Sequence, residues 1–164
     1  MKSILSIAAI AALAGSAAAA PASFLDLGVI GGPDSYTFNT DGSVNFQQSF
    51  GGGPGDTDTE LGLWDSAGVL LASDDDGSAV GLFSEITASL APGEYFLGIG
   101  EFDSLFADNF VNSGTSWEDG DLADVVLNIN GAFAGTQQAG VDSTIGFENQ
   151  TAFFRVEVIP AKQN

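Results

Sequence analysis

Short stretches with an apolar side chain at every second position, cut apart by glycine-rich turns, restrict this chain more than anything else in it. In residues 151–158, Ala152, Phe154, Val156 and Val158 alternate with Thr151, Phe153, Arg155 and Glu157. In residues 124–129, Val125, Leu127 and Ile129 alternate with Asp124, Val126 and Asn128. A repeat of two puts one parity on one face of a strand, so each stretch predicts a strand with one buried side. Residues 43–50 alternate likewise until Gly51-Gly52-Gly53-Pro54-Gly55 stops them. Weaker candidates at 25–30 and 36–39, with the hairpins below, bring the expectation to about eight or nine strands. Beyond the first residues no segment has convincing helical spacing. The expected fold is therefore all-β, an antiparallel β-sandwich, and the 22 glycines and 13 phenylalanines suit many short strands joined by tight turns.

The chain starts Met1-Lys2-Ser3, continues through an apolar run to Leu13, and enters an alanine tract. A basic start, a short apolar middle and small residues at A-x-A spacing make a secretory signal peptide. Cleavage is expected between Ala19 and Ser23, which gives residues 1–22 as leader and 23–164 as one β-sandwich domain. The expected location is extracellular or periplasmic. No cysteine is present, so no disulfide staples the exported fold. With 22 acidic and three basic residues the formal charge is −19, which makes nucleic acid and anionic membranes poor partners.

Residues 60–64 and 69–73 flank Asp65-Ser66-Ala67-Gly68, a four-residue turn sequence, and form the clearest hairpin. Pairing Trp64 with Val69 sets Leu61 opposite Ala72, Thr59 opposite Asp74 and Asp58 opposite Asp75, with Asp56 beyond. The acids then meet at the open end of the hairpin, and Asp56, Asp58, Asp74, Asp75 and Asp76 are the candidate metal ligands. Two carboxylates ~5 Å apart at an effective dielectric near 20 repel by roughly 3 kcal/mol, a cost that a cation removes. Calcium takes six to eight oxygens in flexible geometry and suits an irregular loop cluster; zinc lacks His or Cys here. The same aspartates could instead cap turns and hydrate an acidic surface, because the EF-hand spacing is absent. A second hairpin is expected from Ala91-Pro92-Gly93-Glu94, with Leu90, Ala88 and Ile86 opposite Tyr95, Leu97 and Ile99.

Residues 101–121 have no clean period and read as an excursion over one end of the sandwich. Phe106, Phe110 and Trp117 in it, with Trp64 beside the first turn, are candidates for stacking on a sugar ring or covering a partner surface, as against plain packing. Glu101 and Asp103 at its start, and Glu118, Asp119 and Asp121 at its end, read as a second oxygen site or as solvated loop acids. Arg155, nearly alone as a cation, is expected to pair with a strand neighbour. With no His, no Cys and no G-x-S-x-G, the expectation is a protein that is not an enzyme. A glycoside hydrolase built on two carboxylates is the catalytic alternative, and an acidic structural component of a matrix is the non-catalytic one.

The stretch "DTELGLWDSAGVLLASDDDG" followed by "LAPGEYFLGIGEFD" resembles the bacterial pre-peptidase C-terminal domain family, in the variant found in secreted proteins with C-terminal sorting tails. The resemblance covers about residues 56–103. It implies a jelly-roll-like sandwich that accompanies secreted enzymes or surface proteins and is not itself catalytic. Some relatives bind calcium, and others collagen or polysaccharide, so calcium is the expected cofactor and extracellular polysaccharide or a matrix protein the expected partner. Carried over by position, Asp56, Asp58, Asp74 and Asp75 fall where ligands would stand. The sequence departs from the pattern after Val156-Glu157-Val158-Ile159-Pro160, where Ala161-Lys162-Gln163-Asn164 replaces an apolar anchor, and release without a membrane anchor is expected. The sequence leaves the oligomeric state open.

Overall fold

The computed structural model describes residues 19–31, 35–45, 57–114, 121–141, 144 and 151–160. Its strands are β1 (Leu25–Gly31), β2 (Ser35–Asn39), β3 (Val44–Asn45), β4 (Thr59–Asp65), β5 (Leu70–Asp74), β6 (Glu85–Ser89), β7 (Gly93–Glu101), β8 (Phe106–Ala107), β9 (Val111–Asn112), β10 (Asp121–Ile129), β11 (Ala132–Val141) and β12 (Ala152–Ile159). Nine of the twelve have five or more residues, in agreement with the strand count read from the sequence. One sheet runs β1-β12-β7-β4-β5, and the other β11-β10-β2-β6 with β3 also on β10; β8 and β9 pair apart. The described residues contain no helix. The fold is a β-sandwich, and the described pairs are antiparallel except β1 with β12.

Alternation decides which side chains enter the core. Along β12, Ala152, Phe154, Val156 and Val158 are buried while Phe153, Arg155 and Glu157 are not. They meet Leu61, Leu63, Leu97 and Ile99 of their own sheet and Tyr36, Phe38, Ile86, Val125 and Leu127 of the other. Apolar burial of this kind, at about 25 cal/mol per Å², is the main force closing the two layers. Arg155 takes up the pairing expected of it: its guanidinium reaches Asp26 at 3.0 Å on β1 and Glu94 at 2.5 Å on β7.

The expected hairpin across Ala91-Pro92-Gly93-Glu94 is not formed. β6 pairs with β2 in one sheet, while β7 lies between β4 and β12 in the other. Ile86, Leu90, Tyr95, Leu97 and Ile99 share one core from opposite layers, so the apolar parity was read correctly and the partner was not. The chain changes sheets here, and the Tyr95 hydroxyl donates to the Ala91 carbonyl at 2.9 Å across the bend.

The β4–β5 hairpin does form on Asp65-Ser66-Ala67-Gly68, but in a different register. Trp64 faces Leu70 and Leu63 faces Ala72, with an irregularity between them, so Leu61 faces Asp74 where Ala72 was expected. The Asp65 carboxylate causes the change, because its Oδ1 accepts the N–H groups of Ala67 and Val69 and holds Val69 in the turn.

The excursion also differs from expectation, since its described part lies on the outer face of the first sheet and not over one end. Its β8–β9 hairpin covers Trp64, whose Nε1 donates to the Ala107 carbonyl at 2.9 Å. Trp64 is fully buried, with ring centroids 5.2 Å from Phe106, 6.0 Å from Phe110 and 5.7 Å from Phe153. Gly62 and Gly98, paired across β4 and β7, leave room for these rings: a Cβ on Gly62 would strike the indole and Phe106, and one on Gly98 the indole and Phe153. A second, aromatic core therefore lies outside the sandwich.

Candidate metal centre

Asp58 leads into β4, and its backbone is fixed from both sides. The Phe102 N–H donates to its carbonyl at 3.2 Å, and the next residue, Thr59, donates its N–H to Leu82 at 3.3 Å. Behind it the buried hydroxyls of Thr40 and Thr59 lie 2.6 Å apart, Ser84 N–H donates to Thr40 Oγ1, and Ser84 Oγ donates to the Thr59 carbonyl. A satisfied polar network of this kind gives the strand root one position.

Asp75 and Asp76 follow β5 in a turn organised by Asp74. Asp74 Oδ2 accepts the N–H groups of Gly77 and Glu85, both at 2.8 Å. A Cβ on Gly77 would run into that carboxylate, so the close approach depends on glycine. Asp74 is thereby occupied as a turn anchor, while carboxylate oxygens of Asp58, Asp75 and Asp76 lie within 4.8 Å of one another. Of the five candidates, these three are brought together, Asp74 stands apart, and Asp56 lies outside the described residues.

The electrostatics of the group are those of charges held against their preference. Burial, then the charges of Asp76, Asp75 and Asp103, push the Asp58 carboxyl up to about 6. Burial first, then Asp75, push Glu60 up to about 7 against the lowering effect of N–H donors from Asp103 and Ser104. Asp75 is raised by burial and by Asp76, Asp74 and Asp103. Asp103, at a φ of 62°, thus brings the start of the excursion into the same field. The sequence reading placed Glu60 in the hairpin and Asp103 in a separate loop; two acids at i and i+2 beside a three-aspartate run were the available signal.

Asp58 Oδ1 is buried and has no hydrogen-bond partner. A buried carboxylate oxygen without a donor carries its full desolvation cost, and a hard cation is the partner that this all-oxygen donor set fits. Asp58, Asp75 and Asp76 would hold such an ion, with water supplying further oxygens on the exposed side.

The aromatic candidates take a different place. Phe106 and Phe110 are half-buried and turn their rings to Trp64, and Phe110 also meets Phe96 at 5.2 Å and Phe153 at 6.2 Å. They build the outer aromatic core. Trp117 lies outside the described residues. Among the described residues, the large aromatics most open to solvent are Phe102 at 54% and Phe133 at 67%, neither of them singled out as a ligand residue by the sequence. Compared with protein-family models, curated proteins and solved structures, the chain matches none.

Proposed function

We propose that this is a secreted, non-catalytic binding or accessory domain whose acidic end is stabilised by calcium and which engages an extracellular polysaccharide, matrix component or partner protein. The observation that carries the calcium reading is Asp58 Oδ1, buried and unpartnered within reach of two further carboxylates. Calcium bound there supplies positive charge and nothing more: it favours the ionised carboxylates and ties the root of β4 to the turn after β5. Export is supported by the leader-like residues 1–22, and the accessory role by the motif resemblance over residues 56–103. A non-catalytic role is supported by the sequence, which has no His, no Cys and no G-x-S-x-G.

Calorimetric titration of the chelator-treated protein with calcium tests the reading. Saturable binding is expected, weakened by Asp58→Asn and by Asp75→Asn, with magnesium binding less tightly because it demands a regular octahedron. A flat titration in protein that is folded by circular dichroism overturns it.

A further inference from the structure

β1 and β11 are end strands of the two sheets, and they touch each other along one side of the sandwich. At Gly135 they meet closely, since a Cβ there would come within 2.8 Å of Leu27 and 3.1 Å of Leu25. Toward the β10–β11 turn the space between them is not filled. A cavity of about 320 Å³ lies there, with walls from Leu27, Ile30, Ile129 and Ala134, the buried Tyr36 and the exposed Phe133. Leu27, Ile30 and Ile129 are half-buried and packed against the main core, so the cavity opens onto that core. Its wall is built in. Asn130 and Gly131 turn the chain at φ 51° and 75°, the two left-handed residues that a two-residue hairpin turn requires. Asn130 clamps this turn to β2: its N–H donates to the Thr37 carbonyl at 2.7 Å, and its Oδ1 accepts the Thr37 N–H at 2.9 Å. Tyr36, next to Thr37, is itself stacked on Phe38 with ring centroids 6.3 Å apart.

We propose that this cavity is the binding site for one neutral aromatic molecule of two or three rings. Size, charge and shape set that class. At the packing density of protein interiors, about three-quarters, a cavity of about 320 Å³ holds ~240 Å³ of ligand atoms, toward the lower end of the sites that take small organic ligands. Among the described residues no charged side chain lines it, so an ion of either sign would lose its hydration there without a partner. An anion would also meet the field of a chain with formal charge −19, and the same charge opposes a second copy as the occupant. A slot between two sheet layers, which pack ~10 Å apart, suits a flat ring, and Tyr36 and Phe133 offer aromatic contacts that a ring uses better than an acyl chain does. The inference stands apart from the cation and uses no residue of the acidic end.

The test pairs N-phenyl-naphthylamine, which is neutral and fluoresces in apolar surroundings, with its sulfonated relative anilinonaphthalenesulfonate. Both are titrated into folded protein in chelator. Saturable binding of the neutral compound to a single site is expected, with a Kd on the order of 10 μM, and binding of the sulfonate roughly tenfold weaker or more. Amide shifts caused by the neutral compound are expected to centre on residues 27–31 and 129–134. Phe133→Ala, at an exposed position, is expected to weaken its binding roughly fivefold at an unchanged melting temperature. Ala134→Phe fills the cavity and is expected to abolish binding in protein that still melts cooperatively. Absence of saturation, wild-type affinity in Phe133→Ala, or equal affinity for the two compounds overturns the inference. Displacement of the neutral compound by decanol at matched concentration would assign the cavity to acyl chains, and a dimer in sedimentation that excludes the compound would assign it to a second copy; either result also overturns it.

Discussion

Asp58 keeps one carboxylate oxygen away from water with no donor in reach, beside two aspartates of the same sign. In metal-free protein such a group is a liability that removing its charge relieves. Asp58→Asn is therefore expected to raise the melting temperature measured in chelator by about 3 °C, corresponding to ~1 kcal/mol in a chain of this size, and to lower it relative to wild type in calcium. Destabilisation of equal size in both solutions would show the carboxylate to be held by protein contacts alone. The pH dependence has a definite sign. Asp58 and Glu60 titrate near 6 and 7 when folded, against ordinary values of 3.8 and 4.5, so the folded state binds more protons than the unfolded one in between. Their contribution is fully present below about pH 4 and is lost as pH rises toward 7. Asp26, lowered by the Gly28 N–H and by Arg155, acts oppositely, contributing above its ordinary 3.8 and losing that contribution at lower pH. In chelator the melting temperature is expected to fall between pH 5 and pH 7, and calcium is expected to flatten or reverse that slope; a rise in chelator would contradict the raised values.

Glycine and tryptophan set the outer layer at the level of the strands. Gly62 lies in the middle of β4 beneath the Trp64 indole and the Phe106 ring. Gly62→Ala is expected to cost about 1–3 kcal/mol by overpacking, read as a lower urea midpoint at unchanged slope, and to loosen the β8–β9 hairpin above it. Gly42→Ala offers the contrast, since a Cβ there meets nothing within 4 Å and only its φ of 89° opposes the change. The strands themselves were legible where alternation was strong, as in β10 and β12, and where a turn sequence marked a hairpin, as in β4 and β5; of the alternating stretch 43–50, residues 46–50 lie outside the described residues. β11 escaped because Gly135-Thr136-Gln137-Gln138 carries little apolar signal, although Ala139 and Gly135 are buried. The period of two specifies which face of a strand is buried but not which sheet it joins, and that is why β6 and β7 were paired with each other instead of facing across the core. The register of β4 against β5 was set by the Asp65 carboxylate, a side-chain-to-backbone bond that alternation does not reveal. Three of the five candidate ligands nevertheless converged, because an acid entering one strand and acids leaving its hairpin partner must meet at the open end in any nearby register.

For the whole molecule, a formal charge of −19 with Arg155 tied to Asp26 and Glu94 means that any cation in solution stabilises the fold to some degree. General screening and a specific ion can be separated by distance. At 0.15 M salt the screening length is ~8 Å, longer than the 4.8 Å within which the three carboxylate oxygens gather, so monovalent salt quiets the dispersed surface before it quiets the cluster. Sodium chloride added to chelated protein is therefore expected to raise the melting temperature gradually, without saturation near millimolar levels. Calcium is expected to act at far lower ionic strength and to saturate, contributing about 2.7 kcal/mol at a hundredfold excess over its dissociation constant, or roughly 5–10 °C. The same calcium addition in Asp58→Asn should retain only the shift that sodium produces at matched ionic strength. If calcium and sodium curves coincide at equal ionic strength in the wild type, the carboxylates at the mouth of β4 and β5 belong to the surface charge, and the orphaned oxygen of Asp58 is satisfied by water.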